Sequence, residues 1–452
     1  MDDTQARLAA YCAASGFDCL APETVGRYQR HLLDSLGCAL GAHDAPPCAI
    51  ARRLAAAVQG TPPARVIGTP TPTSLEMAAF ANGVLIRYLD FNDQLVSGHP
   101  SDGLGALLGI ADALALDGPA LVGGMHVLYE VYGRLQAAAL LRERGWDQGT
   151  FMAIAVACAA GKLLGLGEAA LAEAIALAAS DNAATRQTRA GELSDWKGCA
   201  TANAARNGVF AALLAREGLT GPARPFEGKH GFWEQVSGPF TLDLPPPGER
   251  PMIAEAGLKY FPVENNAQGP AWAALAVREA LPADALVAVA VETTEFTWNE
   301  IGRDPEKWAP TRRETADHSL PYVFATVLRH GTIGPEHFAP AHLADPGVRA
   351  LMARITVEPS AAFTARWPAE NVCRVTARTH DARTHVVEIA QPRGHPANPL
   401  SDAEVAAKFT RQAAPVLGPE RAQAVVEYVA ALPTQPRLPA LLDLLAPWAA
   451  CL

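Results

Sequence analysis

The sequence predicts a mainly α-helical protein into which a smaller α+β unit is inserted. From the start to about residue 250, apolar residues recur at helical spacing in Ala/Leu-rich segments. Beyond a proline-rich stretch at 243–251, segments rich in β-branched residues alternate with helical ones, and after residue 392 the helical pattern returns. We therefore expect a helical domain built from residues 1–254 and 393–452, and an α+β lid domain of residues 255–392 with a short antiparallel sheet.

The helical segments each have an apolar face, and several end in glycines. Residues 31–42 place four leucines on one side of a helix, with glycines near its end. The same reasoning predicts further helices in the first domain, over residues 74–89, 103–117, 122–142, 149–164, 168–180 and 200–217. In the C-terminal segment it predicts helices over residues 401–414, 418–431 and 437–448.

The inserted unit combines strands and helices. Runs rich in β-branched residues predict strands at 286–297, 354–358, 371–378 and 384–390, and helices are predicted around 268–280 and 319–329. The last two strands are separated by a short polar connection at 379–383, which predicts a hairpin.

Composition excludes several classes of function. The chain has 452 residues, 49% of them hydrophobic, and a net charge of -10 with no run of Lys and Arg, so we expect no nucleic-acid partner. Its eight cysteines form no Cys-x-x-Cys pair, which argues against a metal site and favours reduced thiols. We find no signal-peptide pattern at the N-terminus and no apolar run of about 18 residues, so we expect a cytoplasmic protein with no membrane partner.

Three polar clusters interrupt the apolar pattern. The first, residues 87–102, contains Asp90, Asp93 and His99 between two predicted buried helices. At the edge of a core, burial and neighbouring charges can shift pKa values toward those of catalytic acids and bases. The alternative interpretation is an ordinary loop whose Asp and Ser residues cap the next helix.

The other two clusters add lysines. Lys197 precedes an Ala-rich helix, and Lys259 and Glu264 flank an aromatic pair. Together with Arg87 and the first cluster, they predict a proton-transfer site for an anionic substrate that needs no metal or organic cofactor. The alternative for each lysine is a surface position with a partly buried aliphatic stem.

Several stretches in fixed order carry a resemblance to a known family. They are residues 89–93 with 99–102, 145–147, 196–198 with 203–205, 259–264 with 267–268, 311–322 and 394–402. In this ordered set the chain resembles the MmgE/PrpD family, which includes 2-methylcitrate dehydratase, cis-aconitate decarboxylase and iminodisuccinate epimerase. The resemblance implies a homodimer, a helical domain with an α+β lid, an active site in the cleft between the domains, and no required cofactor.

The resemblance also implies roles for individual residues. Asp90, His99, Lys197 and Lys259 match positions assigned to the active site in cis-aconitate decarboxylases. Glu264 matches the glutamate of the dehydratases. The chain departs from the dehydratase pattern at positions 265 and 266, where asparagines replace an aromatic residue and a histidine, and at Gln94 and Gln148.

The sequence therefore predicts a hydro-lyase that dehydrates a hydroxy-tricarboxylate such as 2-methylcitrate, an activity of propionate metabolism. Its expected catalytic residues are Asp90, His99, Lys197 and Lys259. Its expected substrate-binding residues are Arg87, Asp93, Gln94, Asp147, Gln148, Glu264 and Asn266. The alternatives are a decarboxylase of the cis-aconitate type, a dicarboxylate epimerase, or a relative that binds polycarboxylates without catalysis.

Overall fold

The chain forms two compact units in the computed structural model, which describes residues 1–367 and 369–446. The first unit contains Met1–Arg189, Trp196–Ala256 and the segment from Ser401 onward. The second contains Ala190–Asp195 and Gly257–Leu400. The six residues 190–195 group with the second unit although they precede it in the chain by more than 60 positions.

The first unit is helical. Its helices before residue 257 are α1 Asp3–Ala14, α2 Pro22–Gly41, α3 Pro46–Ala56, α4 Leu75–Tyr88, α5 Leu104–Ala113, α6 Gly118–Ala138, α7 Gly149–Leu163, α8 Glu168–Asp181 and α9 Ala200–Arg216. Its short strands are β1 Ala64–Arg65, β2 Pro72–Thr73 and β3 Asp93–Gln94. Six of the predicted helices correspond to α4–α9.

Local chemistry explains where these helices begin and how closely they pack. Ser74 accepts a hydrogen bond from the backbone N–H of Met77 and starts α4, and Asp117 does the same for Ala120 at the start of α6. α7 packs against α9, and a side chain at Gly208 would collide with the carbonyl oxygen of Ala153. Small residues thus allow the central helices to approach one another closely.

The second unit combines short helices with a sheet. Its helices are α10 Gln268–Ala280, α11 Glu295–Ile301, α12 Pro305–Trp308, α13 Arg313–Ala316, α14 Leu320–His330, α15 Pro340–Leu343, α16 Pro346–Met352 and α17 Ala361–Thr364. Its strands are β4 Gly257–Leu258, β5 Leu286–Thr293, β6 Ile355–Pro359, β7 Cys373–Thr379 and β8 Thr384–Ile389. α10 packs against β7 and β8. Buried residues of β5, β6 and β7 also belong to the core of the unit.

The four-stranded sheet has the order β6-β5-β7-β8. β5, β7 and β8 are antiparallel as predicted, and β7 and β8 form the predicted hairpin. β6, however, runs parallel to β5, so the sheet is mixed rather than antiparallel. The helical segment between these two strands is long enough to carry the chain back to the same end of the sheet, as a parallel pair requires.

The strand predicted at 286–297 ends early. Thr294 accepts a hydrogen bond from the backbone N–H of Thr297 at 3.1 Å and caps α11, so the chain leaves the sheet after Thr293. The local capping bond therefore ends the strand despite the β-branched residues that follow.

The C-terminal segment returns to the first unit with α18 Asp402–Leu417, α19 Pro419–Ala430 and α20 Pro439–Leu445. α18 begins with a reciprocal capping box between Ser401 and Glu404, and it packs against α2. The end of the helix predicted at 437–448 lies outside the described residues. The predicted fold class, mainly helical with an α+β part, is confirmed.

Two further findings concern the described part of the chain. None of its helices has both the length and the apolar composition needed to cross a bilayer. Its seven cysteines form no disulfide with one another, and six of them are buried. Cys451 lies outside the described residues.

Candidate active site

The loop between α4 and α5 supplies Asp90, Asp93, Gln94 and His99, half of the predicted site residues of the first unit. Just after α4, the chain passes through Asp90 with a φ of 51°, in the left-handed region that Asp tolerates better than most residues. Two hydrogen bonds between the backbones of Leu95 and Gly98 then close a tight turn. Gly98 is required there, because a side chain would collide with the Tyr132 hydroxyl. The turn leads directly into His99.

Four charged groups form a buried cluster at the start of this loop. The Arg87 guanidinium is ion-paired with the Oδ1 atom of Asp90, and its Nε lies 3.5 Å from the Oδ2 atom of Asp102. The Lys197 ammonium lies 3.6 Å from the Oδ2 atom of Asp90. All four side chains are nearly inaccessible to solvent, so each charge needs a partner inside the protein. The structure thus brings Arg87, Asp90 and Lys197 together, as the sequence predicted for a single site.

Asp102 is the most deeply embedded carboxyl group of this cluster. Burial raises its pKa to about 6, and Arg87 and the Thr201 hydroxyl act in the opposite direction. Its Oδ1 atom accepts a hydrogen bond from the Asn92 amide at 2.8 Å. The cluster therefore contains a carboxyl group that can carry a proton in mildly acidic solution.

His99 is held by the backbone of the same loop. Its Nδ1 atom lies 2.5 Å from the carbonyl oxygen of Asp93. Because a carbonyl oxygen only accepts hydrogen bonds, Nδ1 carries the proton in the neutral ring, and Nε2 has the lone pair. The arrangement suits His99 for accepting a proton at Nε2 and returning it.

The Asp93 carboxylate has partners within the protein. Its Oδ1 atom accepts from the Ser101 hydroxyl at 2.5 Å, and its Oδ2 atom accepts from the Tyr129 hydroxyl at 2.7 Å. The His31 Nδ1 atom lies 3.5 Å from the same oxygen. These contacts hold the loop against α2 and α6. A direct substrate contact for Asp93 stays a prediction.

A second group of predicted residues lies near the tip of the loop. The buried Asp147 carboxylate accepts from the backbone N–H of Gly149 at 2.9 Å and from Arg189 at 2.6 Å. Gln148 lies between the carbonyl oxygen of Ser97 and the Arg189 guanidinium; with its amide oriented to suit both groups, its nitrogen donates to Ser97 at 2.6 Å and its oxygen accepts from Arg189 at 3.2 Å. The half-buried Gln94 donates to the carbonyl oxygen of Val96 at 3.0 Å. The Gln148 amide thus ties the turn to the start of α7, whereas the Gln94 amide bonds within the turn itself.

The remaining predicted residues belong to the second unit. Lys259 is buried there. The Glu264 carboxylate accepts from the backbone N–H of Asn266 at 2.6 Å and from its side-chain amide at 2.8 Å, which caps the 3-10 turn ahead of α10. The side-chain Oδ1 atom of Asn266 accepts in turn from the side-chain amide of Asn371 at 2.7 Å. Glu264 and Asn266 are therefore partners of each other.

Four buried polar residues that surround the loop could not be identified from the sequence, namely His31, Asp34, Tyr129 and Lys408. They lie on helices α2, α6 and α18, and all four side chains are buried. The only available signal was a polar residue on a helix face predicted to be buried. That signal does not reveal which partner the side chain contacts.

Comparison with known proteins gives consistent matches along the chain. Models of the MmgE/PrpD N-terminal domain and C-terminal domain match residues 6–245 and 261–433. The chain is 29% identical over 360 residues to 2-methylcitrate dehydratase of Cupriavidus necator, covering 74% of this chain and 73% of that protein. It is 29% identical over 420 residues to a fungal alkylcitrate dehydratase, covering 84% and 82%. It is 27% identical over 448 residues to human cis-aconitate decarboxylase, covering 91% and 88%.

Proposed function

Because the chain belongs to the MmgE/PrpD family, we propose that it is a lyase that removes water from a hydroxy-tricarboxylate such as 2-methylcitrate, with no metal or organic cofactor. The names of the dehydratase relatives support this reaction. The observation that carries the proposal is the buried cluster of Arg87, Asp90 and Lys197 on and beside the loop that presents His99. It combines fixed positive charge with a group able to transfer protons.

The proposed reaction breaks a C–H bond next to a substrate carboxylate and a C–O bond on the neighbouring carbon. The electron pair of the C–H bond forms the alkene, and the hydroxyl group leaves as water once it has received a proton. In this reaction His99 exchanges a proton through Nε2, either as the base at carbon or as the acid at the leaving oxygen. Such a positioned group contributes typically about 10²–10⁴-fold in rate.

The cations stabilise the charge that develops. Lys197 and Arg87 offset the negative charge that accumulates as the proton leaves carbon, and their buried setting strengthens this interaction relative to water. Asp90 orients both cations through its two oxygens. Lys259 enters the proposal through its match to the family, as a further cation for a substrate carboxylate. The other proposed substrate contacts are Asp93, Gln94, Asp147, Gln148, Glu264 and Asn266.

A second candidate is decarboxylation of cis-aconitate. It is favoured by the match to the human decarboxylase, which extends over 91% of the chain. Glu264 favours dehydration instead, because the family resemblance assigns that residue to the dehydratases. Loss of carbon dioxide and loss of a proton both leave negative charge beside a carboxylate, so the same cations would serve either reaction.

A proton NMR assay of the purified full chain tests the proposal. The chain is incubated separately with 2-methylcitrate, citrate and cis-aconitate. We expect a new alkene signal from a hydroxy-tricarboxylate, with no release of carbon dioxide. Carbon dioxide release from cis-aconitate alone would support the second candidate. Thermal stabilisation by these acids without any product would contradict both and indicate a binding protein.

The Lys197→Met variant tests the role of the cluster in the same assay. We expect kcat/KM to fall about 10²-fold, because one fixed charge at the site of developing negative charge is lost. The matched control is Lys162→Met, which removes a lysine of the same unit that donates to the carbonyl oxygen of Ala13. Equal rates for the two variants would contradict the assignment.

A further inference from the structure

The loop that leads to His99 is held at the backbone of Phe91 by a lysine from the C-terminal segment. Lys408 on α18 donates from Nζ to the carbonyl oxygen of Phe91 at 2.7 Å, and the same ammonium lies 3.7 Å from the centre of the Phe91 ring. The Asp34 carboxylate on α2 lies 2.6 Å from that ammonium. Both charged side chains are almost completely buried. The buried ion pair of Lys408 and Asp34 is therefore hydrogen-bonded to the Phe91 carbonyl group in the loop of the candidate site.

The same segment is held at a second point two residues later. The Tyr129 hydroxyl on α6 donates to the Asp93 carboxylate at 2.7 Å, and its oxygen lies 3.3 Å from the Nδ1 atom of His31. Ser101 donates to the other oxygen of Asp93 at 2.5 Å. Tyr129 and Asp93 are inaccessible to solvent, so water does not compete for this contact.

The two contacts converge on the group that orients His99. The carbonyl oxygen of Asp93 lies 2.5 Å from the His99 Nδ1 atom, and it belongs to the segment fixed at Phe91 and at the Asp93 side chain. A shift of that carbonyl oxygen would rotate the His99 ring, or it would break the hydrogen bond that keeps the proton on Nδ1. Misplacement of a reacting group by about 1 Å can cost about 10²-fold in rate.

We propose that Lys408 and Tyr129 are positioning residues that hold the Asp93 carbonyl oxygen where it fixes the tautomer and orientation of His99. Neither residue takes part in the reaction itself. The inference rests on the proposed function to the extent that His99 is the proton-transfer group. It extends that function to two helices, α6 and α18, that contribute no predicted site residue.

The variants are chosen so that the protein still folds. Lys408→Met alone would leave the Asp34 carboxylate buried without this cation, so it is combined with Asp34→Asn, which removes both charges together. Tyr129→Phe removes one hydroxyl from the second contact. The matched controls are Lys162→Met, which removes a lysine bonded to the carbonyl oxygen of Ala13, and Tyr28→Phe, which removes a buried hydroxyl bonded to the His126 ring.

The first measurement is steady-state turnover of the substrate identified by the NMR assay. We expect kcat to fall about 10²-fold in Tyr129→Phe and in the double variant, with KM changed only a few-fold, because substrate contacts remain. Both controls should retain the wild-type kcat. A change confined to thermal stability, with kcat intact, would overturn the proposal.

The second measurement does not depend on turnover. Nitrogen-15 NMR of the imidazole rings distinguishes the two neutral tautomers, and the His99→Gln variant identifies the His99 signals. We expect wild-type His99 to be protonated at Nδ1 and to lose this fixed state in Tyr129→Phe and the double variant, but not in the controls. An unchanged His99 signal in both test variants would overturn the proposal. A changed signal in a chain that turns over no polycarboxylate would support the positioning role and reject the proposed function.

Discussion

At the scale of single residues, the candidate site is defined by charged groups that are buried and in contact with one another. Arg87 contacts both Asp90 and Asp102, and Lys197 contacts Asp90 from the other side. Asp102 differs from an ordinary carboxyl group because burial raises its pKa to about 6. Its ionised form is therefore less stable in the folded chain than in the unfolded chain, whose Asp side chains have a pKa near 3.8.

This shift predicts a specific pH dependence of stability. A carboxyl group with a raised pKa in the folded state stabilises the fold at low pH, and that contribution is lost as the pH rises through about 6. Between pH 4.5 and 7.5 we expect the free energy of unfolding of the wild type to fall relative to that of Asp102→Asn by about 2 kcal/mol. Urea unfolding of both proteins at several pH values measures the difference. A difference that does not change with pH would contradict the assigned pKa.

Residue types could be predicted from the sequence, but their partners could not. Arg87, Asp90 and Lys197 stood out as charged residues at breaks in an apolar pattern. Tyr129 and Lys408 did not, because each lies within a predicted helix and contacts a group that is respectively 36 and 317 positions away. Such contacts are set by how the helices pack, which the local pattern does not encode.

At the scale of elements, capping bonds determine where several segments start and stop. Thr294 ends β5 by capping α11, and Glu264 caps the 3-10 turn ahead of α10. Asn266, which bonds to Glu264, also accepts a hydrogen bond from the Asn371 side-chain amide. The Thr297 hydroxyl in turn donates to the Asn371 side chain at 2.9 Å, so these residues form one chain of hydrogen bonds. The prediction of four strands succeeded because β-branched residues dominate them. The direction of β6 depended on the path of the intervening helices and could not be predicted.

The Asn266→Ala variant tests this chain of hydrogen bonds. It removes the acceptor of the Asn371 amide and one donor to Glu264, so we expect unfolding to become easier by about 1–3 kcal/mol. Thermal or urea unfolding of the full chain measures the effect. Asn265→Ala, at the neighbouring and more exposed position, is the matched control. Equal stability of the two variants would show that the hydrogen bonds of Asn266 contribute nothing net.

At the scale of the whole molecule, the chain divides into a largely helical unit and a unit that combines short helices with a sheet. The composition of the sequence changes near the proline-rich stretch at 243–251 and after residue 392, whereas the main segment of the second unit extends from Gly257 to Leu400. The grouping of residues 190–195 with the second unit left no such signal, because six residues are too few to show a period. The predicted homodimer stays a prediction that light scattering of the purified chain can test.

We predict that catalytic turnover does not depend on a metal ion. In the proposed reaction, His99 moves the proton and Arg87, Lys197 and Lys259 stabilise the charge, so no step requires a cation from solution. We expect turnover after exhaustive dialysis against EDTA to stay within about twofold of the untreated rate, since a lost Lewis acid would cost far more. Loss of activity that is restored by a divalent cation would contradict this prediction.

The central claim is that His99 transfers the proton in a dehydration of a hydroxy-tricarboxylate. Its most direct test is the rate of alkene formation from 2-methylcitrate by the wild type, by His99→Gln and by His43→Gln, a histidine of the same unit that pairs with Asp44. We predict that His99→Gln remains folded and loses at least about 10²-fold in kcat/KM, while His43→Gln matches the wild type. Near-normal alkene formation by His99→Gln would contradict the account.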